Sequence, residues 1–165
     1  LRRQRQMCIR DRLALVLGFV GVATATVIAQ SIFLVLASLP FGLHMSVAGT
    51  ALLVVLLLLI ATTMGSISFA LALLVKEPGI LAGVTNFFTL PLLLLSGIML
   101  PVGFAPRLLQ WLAAANPMYY ASDAARALIQ GDLGASAVPL SFALFAVLSA
   151  ATLSWFIHLM REAVA

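Results

Sequence analysis

"FFTLPLLLLSGIMLPVGFAP", residues 87–106, decides how the whole chain must be read. The stretch is almost wholly apolar, yet prolines stand at 91, 101 and 106 and a Ser-Gly pair at 96 and 97. Proline removes a backbone donor and clashes with the preceding turn, so a buried helix should avoid it. Helix breakers inside the most apolar region therefore need surroundings that tolerate interrupted backbone.

The composition identifies those surroundings. Hydrophobic residues fill 64% of the 165 positions and charged residues 8%, against roughly 45–50% and 25% in soluble domains. No water-soluble domain of this size hides that much apolar surface, so the chain belongs in a lipid bilayer. The net charge of +4 points to nucleic acid only until it is located. Residues 1–12, "LRRQRQMCIRDR", hold five arginines and one aspartate, and the remaining basic and acidic groups cancel. The chain body is neutral, and no nucleic-acid partner is expected.

Those twelve residues stand apart. The chain opens on Leu1, so its true start is expected upstream, and "QMCIRDR" resembles translated sequencing-adapter read-through. The alternative is a genuine basic cytoplasmic segment of the kind membrane proteins carry. The one cysteine, Cys8, falls here, which leaves no disulfide, thiolate-metal or cysteine-nucleophile chemistry for residues 13–165. The first apolar run is too long, and lacks the cleavage-type boundary, for a secretory signal peptide.

A membrane-crossing helix needs ~20 apolar residues. Residues 13–39 supply one uncharged run, closed by Pro40, and residues 45–75 a second that is long enough to tilt or protrude. "KEPG" at 76–79 stops it. Residues 80–100 and 138–160 supply two more, the last ended by Arg161 and Glu162. Four spans are expected, and an even number puts both termini on one side.

Residues 101–131 fit neither a span nor an ordinary loop. "PRLLQWLAAANP" places proline at a helix start and ends the helix at Asn116-Pro117. A helix of about nine residues reaches ~14 Å, too short to cross. "MYYASDAARALIQG" reads as a second short helix stopped by Gly131. Asp123 and Arg126 lie three apart on one face, so they can pair, and the pair is expected to be sheltered. Two short helices that leave and return on one side form a re-entrant hairpin, tolerated at such depth only against protein or a water-filled cavity.

Several chemistries find no support. No phosphate-binding loop surrounds Lys76, the sole lysine, so no ATP site is expected. The zinc-protease pattern His-Glu-x-x-His is absent, no metal or cofactor is expected, and His44 and His158 read as interfacial residues. "TTMGSIS" around Ser66 could resemble an intramembrane serine protease. Small and hydroxyl residues there more simply let helices approach closely and bond to one another. Thr85, Asn86 and Thr89 are polar groups inside an apolar run, either lining a pathway or joining helices.

Residues 86–133 carry a recognisable order of elements: Ser96-Gly97-Ile98 followed by Pro101, then Pro106, Asn116-Pro117-x-x-Tyr120, Asp123-x-x-Arg126 and Gly131. In this order and spacing the stretch resembles the C-terminal signature of ABC-2-type transporter permeases, and the resemblance extends more loosely over residues 13–165. It implies a permease half of six helices that dimerises, as a homo- or heterodimer, and is driven by an ABC ATPase. The four spans resemble helices three to six, so the chain is expected to be a fragment. The resemblance also places the helix breakers where the fifth helix folds into short extracytoplasmic helices. Counting residues 1–12, most basic residues gather on the N-terminal side, making it cytoplasmic. Without them the charges tie, and the family plan puts the termini and "KEPG" inside and the hairpin outside.

The expectation is therefore an all-α integral membrane protein of the inner (plasma) membrane. Its four transmembrane helices carry a re-entrant hairpin between the last two, built on Pro101, Pro106, Trp111, Asn116, Pro117, Tyr120, Asp123 and Arg126. It would be a permease subunit of an ATP-driven exporter moving amphipathic, drug-like or lipid-linked molecules, with Lys76 and Glu77 touching the ATPase and no ATP site of its own. A membrane-integral enzyme, with Ser66 and His158 as its only plausible catalytic pair, and a structural membrane subunit are the alternatives.

Overall fold

The computed structural model describes residues 18, 21–37, 46–75, 77–98 and 105–162. Residues 1–12 with Cys8, His44, Lys76 and Pro101 lie outside this set. The described chain is helical throughout: α1 (Gly21–Ala37), α2 (Val47–Leu74), α3 (Pro78–Leu95), α4 (Arg107–Ala114), α5 (Pro117–Gln130) and α6 (Ala137–Glu162). It is an all-α membrane protein. α2 and α6 are long and apolar enough to cross a bilayer, and only 17% and 22% of their most apolar stretches are buried. A core helix of a soluble protein would be mostly buried; these helices offer their apolar surface outward, as lipid requires.

Local signals set the helix ends. Ser46 caps α2, its hydroxyl oxygen accepting from Gly49 N at 3.0 Å. Glu77 is extended ahead of Pro78, as a residue before proline must be, and the proline opens α3 where its missing N–H costs nothing. α3 stops at Leu95, short of the expected residue 100. Ser96 ends it, and Gly97 follows with φ of 74°, a left-handed turn that a glycine adopts without strain. α5 ends on Gly131 at φ 83°, where Gly131 N donates to Leu128 O and Asp132 N to Ala127 O. That pair of bonds is a Schellman motif.

The most extensive packing joins α2 to α6, with α5 against both. Leu56 of α2, Ala121, Ala124 and Leu128 of α5, and Val138 and Phe145 of α6 form the main buried cluster. Ala70 and Phe156 form a second one farther along the same two helices. The first halves of α2 and α6 thus pack together, and so do their last turns, which makes the two helices parallel. α3 runs back antiparallel to both, packing only lightly on α2, and α4 and α5 stay at the end where α2 and α6 begin. Gly49 records how closely α5 approaches there: a Cβ at this position would lie 2.9 Å from Leu128 O.

Candidate functional site

The break after α3 and the two short helices form one hydrogen-bonded unit. Helix C-termini leave carbonyls without partners, and α3 adds to them, because Ser96 N turns to Leu93 O at 3.3 Å and abandons Leu92 O. Side chains of the hairpin supply the missing donors. Asn116 Nδ2 donates to Leu92 O at 2.8 Å, across 24 residues of sequence. The Ser122 hydroxyl donates to Ser96 O at 2.5 Å, and the Arg126 guanidinium donates to Gly97 O. Ser96 Oγ itself donates to Leu93 O at 2.6 Å. Arg126 also brings a positive charge to the negative end of the α3 dipole.

Asn116, Tyr120 and Ser141 make further bonds that fix the hairpin. Asn116 is buried and caps α5, its Oδ1 accepting from Met118 N at 3.0 Å, with Pro117 in the first helical turn. Tyr120 Oη donates to Ala114 O at 2.9 Å, closing the end of α4. Ser141, fully buried on α6, donates to Tyr120 O at 2.6 Å and ties α5 to the long helix. Pro106 stands at the N-cap of α4, and Trp111 lies on the exposed face of that helix. α4 is thus one turn-pair long, Asn116-Pro117 is its junction with α5, and both match the sequence-based expectation.

The depth of the junction follows from its neighbours. Ala114, Ala115, Pro117 and Tyr120 share a groove with Leu140, Leu144 and Leu148 of α6. At ~1.5 Å per residue, Leu144 and Leu148 lie about 10 and 16 Å along α6 from Ala137. The α4–α5 junction therefore sits well down the long helix, not at its mouth.

The Asp123–Arg126 pair forms, but loosely. Its nitrogen and oxygen are 3.8 Å apart, with side chains 38% and 52% exposed, respectively. The expected shelter is not there, since both side chains point away from the α2–α5–α6 core. Arg126's closer partner is the Gly97 carbonyl. Asp123 instead raises the Tyr119 phenol above its ordinary range, by its charge first and then with burial and a hydrogen bond.

The other sequence candidates are scattered. Thr85, Asn86 and Thr89 are exposed on α3. The two threonines donate to carbonyls of their own helix, Leu81 O and Thr85 O, while Asn86 has no hydrogen-bond partner among the described residues. Glu77 caps α3 at the opposite end from the hairpin and makes no side-chain cap bond. Ser66 is buried in a cavity of about 10 Å³ lined by Ala23, Thr24, Ala61, Thr62, Gly65, Phe69 and Phe156. That space holds one water at most and no base lines it, while His158 is exposed on α6. The helix-packing reading of "TTMGSIS" fits this contact with α1, although Thr62 and Thr63 bond within their own helix and not across it. Among the described residues no three His, Cys, Asp or Glu side chains gather to hold a metal ion.

Ser122, Ser141 and Gly49 escaped the sequence reading. A serine in an apolar run signals nothing by itself, and the close approach at Gly49 depends on a helix eighty residues away.

Comparison with known proteins agrees with this architecture. The family profile described as ABC-2 type transporter matches residues 1–130, a range that ends with the last residue of α5. No protein of curated function and no solved structure matches the chain. By a match over more than half its length, the chain belongs to the ABC-2 type transporter family.

Proposed function

We propose that this protein is the permease of an ATP-driven exporter that works by alternating access and carries an amphipathic, drug-like or lipid-linked substrate outward. Family membership makes it a transport permease subunit and implies an ABC ATPase as its partner. The observation that carries the finer reading is the way α3 is held. Asn116, Ser122 and Arg126 fasten its hairpin end, while the rest of its surface, with Thr85, Asn86 and Thr89, is largely exposed. A helix clamped at one end and lightly packed along its length transmits motion. Tilting at Lys76 and Glu77, the turn that would meet the ATPase, carries through α3 to the hairpin on the other side.

In this reading residues 101–131 form a re-entrant hairpin entering from outside, and its junction at Asn116 packs on protein, where broken backbone is tolerated. The termini and the turn before Pro78 are cytoplasmic in the inner (plasma) membrane. Two permease halves, alike or different, enclose the path. The exposed polar face of α3 offers one amide, Asn86, and two threonine methyls beside apolar side chains. Such a lining suits an amphipathic molecule better than an ion, which would require charged or clustered polar ligands.

The test is transport itself. Proteoliposomes holding the full permease with its ATPase are expected to accumulate an amphipathic fluorescent substrate only with ATP, and the substrate is expected to stimulate hydrolysis. ATP-independent accumulation, or hydrolysis indifferent to every amphipathic substrate tried, would refute the exporter reading.

A further inference from the structure

The outward face of α4 asks what covers it. Trp111 is 80% exposed and Leu108 73%, with Leu112 exposed beside them. Positions 108, 111 and 112 share one side of a helix with 3.6 residues per turn. Ala113, on another side, is buried against the protein. Arg107 and Trp111 are four residues apart and so are neighbours along the helix surface. Arg107 is exposed and makes no ion pair with a described residue, the indole N–H has no described acceptor, and α4, "RLLQWLAA", contains no acidic group. The face therefore combines two donors that have no partner among the described residues, one of them cationic, with a broad apolar surface.

We infer that α4 is seated in the lipid leaflet on the hairpin side, with Leu108, Trp111 and Leu112 among acyl chains and Arg107 paired with the phosphate of an anionic phospholipid. The inference rests on the re-entrant reading of the hairpin. Two observations select lipid. Charge is complementary: the phosphate and ester oxygens of a phospholipid accept from the guanidinium and the indole, and its chains cover the leucines. The surface is also continuous with that of α6, because the groove at the foot of α4 runs onto Leu140, which is exposed together with Val147. An aqueous vestibule would leave a tryptophan and leucines in water. α4 thus fixes the hairpin's height in the membrane, and the leaflet's anionic lipid becomes a ligand of the transporter.

Trp111 reports on this directly. This chain has two tryptophans, and in the full protein Trp155→Phe, with phenylalanine at any tryptophan outside this chain, leaves Trp111 alone. The full protein is reconstituted in vesicles whose phospholipid is brominated either near the headgroup or near the terminal methyl. The expected result is loss of most Trp111 emission, with the shallow bromines quenching more than the deep ones and aqueous iodide quenching little. In mixed vesicles, quenching by brominated phosphatidylglycerol should exceed quenching by brominated phosphatidylcholine, and Arg107→Gln should abolish the excess. Emission quenched by iodide and not by bromine would place α4 in water. Blue-shifted emission that neither agent quenches would place it against protein, either another part of the full permease or a second copy. Either result overturns the inference, and equal quenching by the two lipids overturns the role of Arg107. Thiol labelling at both ends of the hairpin tests re-entrance separately, so the two failures are distinguishable.

Discussion

Asn116→Ala is expected to cause the largest loss of any single substitution in the hairpin. The side chain meets two needs at once: its amide nitrogen satisfies Leu92 O and its oxygen caps α5. Losing an N-cap costs about 1 kcal/mol. Leaving the part-buried Leu92 carbonyl unmet costs about 1–3 kcal/mol more. Thermal unfolding in detergent should report a combined loss of about 2–4 kcal/mol, and transport should fall with it. Asn116→Asp separates the two needs. It keeps the cap oxygen but turns an acceptor toward Leu92 O, so it should lose transport as fully as alanine while α5 stays helical. Wild-type transport by the aspartate variant would show that the cap matters and the bond to α3 does not.

Arg126→Ala is expected to impair export far more than Asp123→Ala. The ion pair is 3.8 Å long and half-exposed, and such pairs contribute about 0–1 kcal/mol. The bond from Arg126 to Gly97 O is charge-assisted and closes the end of α3; bonds of that type contribute about 1.5–3 kcal/mol, less where water competes. Exchanging the two residues should not restore export, because it sets a carboxylate against the carbonyls at the negative end of α3. Arg126→Lys, which still donates, should retain part of it. Substrate uptake into proteoliposomes measures all four variants. Equal defects in Arg126→Ala and Asp123→Ala, with recovery in the exchanged variant, would restore the ion pair as the working contact.

These two residues show how far the sequence could be read. Pro106, Asn116-Pro117 and Gly131 are local signals whose effect is exhausted within a turn of chain, so the ends of α4 and α5 were legible. Ser96-Gly97 was legible as a break, but an apolar run continuing to residue 100 hid the point where α3 stops. The partners of Asn116 and Arg126 were not legible. Their acceptors are main-chain carbonyls 24 and 29 residues back, and a carbonyl has no residue identity to read. Arg126 was paired with Asp123 because that is the contact spacing reveals, whereas the fold supplied a nearer acceptor. The Ser-Gly break at 96–97 is tolerated for the same reason; Pro91 lies inside α3, where it removes the donor of the Phe87 carbonyl. The carbonyls freed at Leu92, Ser96 and Gly97 meet protein donors and not lipid.

The central claim is that residues 101–131 leave and re-enter the membrane region on one side. In a Cys8→Ser background, single cysteines at Arg107 and Asp132 bracket α4 and α5, and an impermeant thiol reagent is applied to right-side-out vesicles and then to inverted ones. Both positions should label from the same side, outside, while a cysteine at Ala114, beside the deep junction, labels slowly or only during turnover. Labelling of Arg107 and Asp132 from opposite sides would mean that the stretch crosses the bilayer, and the re-entrant hairpin and the placement of both termini on one side would fall together.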